Sequence, residues 1–139
     1  MNIMLIIAGI MSLFAATIHV GCIYFGASWY RFFGAGEQMA IMAEQGSIKP
    51  ALITSCIIFV LMVWSLYAFS AAGMMVKLPF LRVILVMITV IYLLRGVAGY
   101  FLINNPLGRT PEFWIWSSSI CLGIGIMHLI GVKQMWSTF

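Results

Sequence analysis

Carboxylates are almost missing from this chain: Glu37, Glu44 and Glu112 are the only three, and no long apolar run contains one. One intramembrane arginine and two histidines therefore leave little basis for ion-coupled transport. Charged residues of both signs make up 7% of the sequence, far below what the surface of a soluble domain carries. The three cysteines, Cys22, Cys56 and Cys121, include no Cys-x-x-Cys and are odd in number. They read as thiols in apolar packing, not as a redox pair. No His, Cys or carboxylate spacing suits a metal ion, so no metal and no cofactor is expected. Linkers, low-complexity tracts and convincing repeats are also lacking, which leaves one domain over residues 1–139. Nothing recommends nucleic acid as a partner.

What fills the chain is apolar: 64% of residues are hydrophobic, with a mean hydropathy of +1.13. This composition belongs to an integral membrane protein. Four runs, 3–25, 51–73, 79–103 and 113–136, are each long enough to cross a hydrocarbon core of roughly 30 Å at about 1.5 Å per residue. They lack the alternation of barrel strands, so the expected fold is an all-α bundle of four transmembrane helices with a longer first loop. The first run resembles a secretory signal that ends at Cys22, but no Lys or Arg precedes it, His19 is a poor residue three before the cysteine, and its length is that of a span. It is read as a helix that stays. Pro50 and Pro79 suit first turns, Asn104-Asn105-Pro106 closes the third helix, and Thr110-Pro111-Glu112 opens the fourth. Trp114, Trp116 and Trp136 are expected at the interfaces as an aromatic belt.

Lys77, Arg82 and Lys133 share a side with both termini, and Arg31, Lys49 and Arg109 share the other with all three glutamates. Counting basic residues alone gives a tie. The acid-free side is taken as cytoplasmic, which places both termini inside.

Spacing marks the faces that pack. Ala8, Ser12, Ala15, His19 and Cys22 form one stripe of small, weakly polar residues, and Ser118, Cys121, Gly125, His128 and Val132 form another. Thr54, Ile58, Leu61, Ser65, Ala68 and Ala72 mark the second span; Tyr92, Arg95, Gly96 and Gly99 mark the third. Small residues let membrane helices approach, and polar side chains find partners there instead of lipid. Arg95 should thus face inward. At the bilayer centre it would cost about 3 kcal/mol on insertion scales. Counted from the span middles, Arg95 and His19 both lie roughly 6–8 Å toward the outer surface, and His128 lies about 12 Å from His19 in depth. That offset argues against a haem held between the two histidines.

The loop of residues 26–49 lies on the Arg95 side, with aromatics around Arg31 and a helix-favouring stretch from Glu37 to Gln45. It is expected to lie on the interface as a lid. The candidate ligand-binding set is Arg95, His19, Tyr92, Tyr100, Trp29, Tyr30, Arg31 and Glu37. Arg95 then has two readings: a functional cation that meets a polar head group, or a clamp on helix-end carbonyls or Glu37.

The stretches HVGCIYFGASWYRFFGAGEQMA, SIKPALITSCIIFVLMVWSLYAFSAAG and LPFLRVILVMITVIYLLRGVAG resemble a group of small bacterial four-helix inner-membrane proteins with no known activity. The resemblance covers most of the chain and implies a bacterial inner-membrane location, but no role and no site residue. The leading expectation is a protein that binds a lipid-like or quinone-like amphiphile in an outward-facing pocket around Arg95 and His19. Two alternatives stand beside it. One is a membrane enzyme acting on such a lipid, with His19 as acid or base and Arg95 stabilising charge. The other is a structural accessory subunit or homodimer, whose partner is a second copy or another membrane protein.

Overall fold

Each long apolar run becomes one helix in the computed structural model, which describes all residues from Met1 to Phe139. Helix α1 (Ile3–Phe25) starts at Asn2, whose Oδ1 accepts the Leu5 N–H at 3.1 Å. It stops at Gly26, where a φ of 75° turns the chain into the short helix α2 (Ala27–Phe32). Helix α3 (Glu37–Glu44) completes the long loop. Helix α4 (Lys49–Ala71) carries Pro50 in its first turn, where the missing N–H is not needed. Helix α6 (Pro111–Met135) opens as its sequence suggests, with Thr110 Oγ1 accepting the Phe113 N–H at 3.1 Å and proline just inside. A 3-10 turn over Trp136–Thr138 follows. One boundary differs from expectation. Phe80 adopts a left-handed φ of 56°, so Pro79 stands outside helix α5, which runs Leu81–Phe101.

The chain is all helix and turn, and four of its helices are long and apolar enough to cross a membrane. It is a multi-pass membrane protein with a four-helix bundle. Around the bundle the order is α1, α4, α5, α6. The α1/α4 and α5/α6 pairs pack most intimately, α6 closes against α1, and the α4/α5 seam is the loosest of the four. Small residues explain the inequality. On α5, Gly96 and Gly99 bring the backbone against Leu122 and Ser118 of α6, and Gly125 of α6 accepts Leu93. The small residues of α4 are turned to α1 instead, where Ser65 Oγ donates to the Gly9 carbonyl at 2.8 Å. Large side chains are left for the α4/α5 seam.

The stripes read from spacing are the buried ones: Ala8, Ser12 and Cys22; Thr54, Leu61, Ser65, Ala68 and Ala72; Tyr92, Gly96 and Gly99; Ser118, Gly125, His128 and Val132. Phe14, Phe59, Leu94 and Trp116 point outward from the spans, as side chains solvated by lipid do. Trp114 departs from the belt expected of it. It is buried, and its Nε1–H donates to the Pro106 carbonyl at 2.8 Å.

Candidate functional site

The loose seam contains a crevice of about 320 Å³, lined from α4 by Cys56, Ile57, Val60, Leu61 and Trp64. From α5 it is lined by Ile91, Tyr92 and Arg95, and from α6 by Cys121. Cys56, Ile57, Val60 and Ile91 are exposed, so the crevice opens sideways, toward the acyl chains of a bilayer. Its volume sits at the lower end of the roughly 300–1,000 Å³ typical of small-molecule sites. There is room for one chain or one ring, not for a whole lipid.

Arg95 is the only charged lining residue and the only one in the spans away from a helix end. Two α6 hydroxyls hold it: Nη2 donates to Ser117 Oγ at 3.0 Å and Nη1 donates to Ser118 Oγ at 3.5 Å. Its guanidinium lies 4.9 Å from the Trp114 ring centroid, a cation–π distance. These contacts position the cation without neutralising it. Neither helix-end carbonyls nor Glu37, the partners weighed for a clamp, bind it; two serines and a tryptophan hold it instead.

Behind the crevice wall lies a second polar group. Tyr92 meets the edge of Trp64 at 4.9 Å and stacks on His128 at 5.5 Å. Its hydroxyl shares a hydrogen bond of 2.8 Å with Ser12 Oγ across the bundle. His128 is fully buried, its Nδ1–H donating to the Ile124 carbonyl at 3.0 Å, and its Nε2 has no partner. Sequence spacing had placed His128 on a packing face without naming these neighbours.

The other candidate residues disperse. His19 donates through Nδ1–H to the Ala15 carbonyl at 2.7 Å and does not line the crevice. Helices α1 and α5 stand diagonally across the bundle, so His19 and Arg95 are not the neighbours expected from their similar positions along the spans. Tyr100 bonds to Ser119 Oγ at 2.7 Å, beyond the lining residues. Trp29 stacks on Phe25 at 4.5 Å and packs against Gly21, and Tyr30 is buried with its hydroxyl 3.1 Å from Thr54 Oγ1. Arg31 donates from Nε and Nη2 to Glu37, at 3.0 and 2.7 Å, and from Nη1 to Glu44 at 2.5 Å. These bonds to Arg31 hold both carboxyls below their usual range and raise the arginine in turn. Glu37 is therefore committed to Arg31 and not to Arg95.

The long loop packs on α1 and α4 and reaches the first turn of α6, where a Cβ on Gly34 would come 2.8 Å from Phe113 Cβ. It covers the end of the bundle while the sideways mouth stays open. No histidine or carboxylate lines the crevice, and no three His, Cys, Asp or Glu side chains converge anywhere. The arrangement offers an apolar slot with a cation at its loop-side end. No known protein family, curated protein or solved structure matches the chain.

Proposed function

We propose that this is a bacterial inner-membrane protein, both termini cytoplasmic, that binds a lipid-like or quinone-like amphiphile in the α4/α5 crevice with its polar head at Arg95. The observation that carries this reading is the pairing of a laterally open apolar slot with an embedded cation that has no carboxylate partner. An ionisable residue at such depth is costly and is a functional candidate by default. The tail takes the place of bilayer lipid along Ile57, Val60 and Ile91, and the head meets the guanidinium.

The test is mass spectrometry of small molecules that remain with the protein after purification in mild detergent. Wild type is compared with Arg95→Leu, which removes the cation, and Val60→Trp, which fills the slot from its exposed rim. One species enriched in wild type and reduced about tenfold or more in both variants is the expected result. Equal amounts of bulk membrane lipid in all three would overturn it.

A further inference from the structure

The three glutamates on this side are unevenly shared among its three arginines, and Glu112 pairs with none of them. Glu37 and Glu44 are both bound to Arg31, and these are the only ion pairs in the protein. Arg95 and Arg109 have none, yet both lie against the same ring: their guanidinium carbons are 4.9 and 5.7 Å from the Trp114 centroid. Arg109 also lies 4.8 Å from the Phe113 ring. Trp114 is fixed by burial and by its bond to Pro106, so it holds two cations in a defined place.

Each guanidinium carries five N–H donors in a planar fork. Arg95 directs two nitrogens to serine hydroxyls and Arg109 makes no side-chain hydrogen bond, so most of these donors are unspent. Partial desolvation, and then repulsion from Arg95, hold Arg109 below its ordinary value. Like charges that lack an ion-pair partner destabilise each other, and an anion between them turns repulsion into attraction. Two forks match the several oxygens of a phosphate better than a single carboxylate, and arginine binds such oxygens bidentately. The start of α6, a few residues before Trp114, adds the partial positive charge of a helix N-terminus, offset in part by Glu112 in its first turn.

We infer that Arg95 and Arg109, held on Trp114, form an anion site at the loop-side end of the crevice that takes the phosphate ester of a chain-bearing amphiphile. The inference rests on the crevice reading for the tail and adds the chemistry of the head. It favours a phospholipid-like ligand over a neutral quinone.

The experiment measures binding to the detergent-purified full chain with three probes: phosphatidic acid, diacylglycerol with the same tails, and inorganic phosphate. Wild type, Arg109→Gln and Val60→Trp are compared; Arg109 lies in an exposed connection and Val60 on the lipid-facing rim, so both variants keep the bundle. Phosphatidic acid should bind wild type most tightly, weaken about tenfold or more in each variant, and lose affinity as salt is raised. Diacylglycerol should bind weakly and ignore Arg109→Gln. Equal binding of phosphatidic acid and diacylglycerol, both unaffected by Arg109→Gln but lost in Val60→Trp, would overturn the phosphate site and leave the crevice reading standing. Inorganic phosphate binding as tightly as phosphatidic acid, lost in Arg109→Gln but indifferent to Val60→Trp, would keep the anion site and overturn the crevice as its partner. Failure of every probe to bind would overturn both.

Discussion

His128 holds the one buried side-chain polar atom that lacks a partner. Because Nδ1 faces the Ile124 carbonyl, the proton resides there and Nε2 is a bare acceptor in a fully buried place. An unsatisfied buried acceptor costs about 1–3 kcal/mol, whereas an apolar replacement of similar size removes that cost. His128→Leu should therefore leave the melting temperature in detergent unchanged or raise it, while His128→Ala lowers it by the roughly 2 kcal/mol or more of a core truncation. Equal losses in the two variants would mean that Nε2 has a partner in the membrane. Spacing alone reached the buried status of this histidine, because periodicity reports which face of a helix is covered. It did not reach the stack on Tyr92 or the Ser12 bond, since those depend on the order of helices around the bundle. The same gap explains His19: counting residues along a span does not say which helices are neighbours.

At the scale of elements, the α5/α6 hairpin is set by glycines whose missing Cβ atoms matter. A Cβ on Gly96 would meet the Leu122 backbone at 2.7 Å, and backbone does not yield as a flexible side chain does. Gly123, on the same hairpin, has nothing within 4 Å of its would-be Cβ. Gly96→Ala should lower thermal stability by about 1–3 kcal/mol through forced separation of the helices. Gly123→Ala should be neutral or stabilise slightly, because alanine is the better helix former. Matched melting temperatures for the two variants would contradict this packing. The spans themselves were legible to within two or three residues from hydropathy, proline and the Thr110 cap. The Phe80 turn was not: its left-handed backbone on a bulky residue has no signal in local composition, and it moved the start of α5 beyond Pro79. Trp114 was read as belt because tryptophans near span ends usually are. Its burial, its bond to the Pro106 carbonyl and the arrival of Arg95 and Arg109 over its ring distinguish it from the exposed Trp116.

Across the whole molecule, the loop that closes the bundle end is tied by Arg31 to Glu37 and Glu44, all exposed. Both carboxyls sit below their ordinary value of 4.5 when folded, so their contribution is present above that pH and lost as pH falls through the lower, folded values. A spin label at Gln45→Cys, with exposed Cys56 replaced by serine, should gain mobility on acidification through the lowered, folded values of the two carboxyls and in high salt. One at Ser137→Cys, on the far side, should not. Unchanged mobility at both positions would show that apolar contacts alone hold the loop. The unequal seams carry a mechanical implication. Helix α4 is stitched to the chain that leads into α5 only near the termini side, through Tyr67 to the Pro79 carbonyl at 3.2 Å and Ser70 to the Val76 carbonyl at 2.8 Å. Toward Arg95 no such stitch joins the two helices. The bundle is thus hinged at one end and unlatched at the other, and a molecule sliding in from the plane of the bilayer can part α4 from α5 without breaking a single hydrogen bond between them.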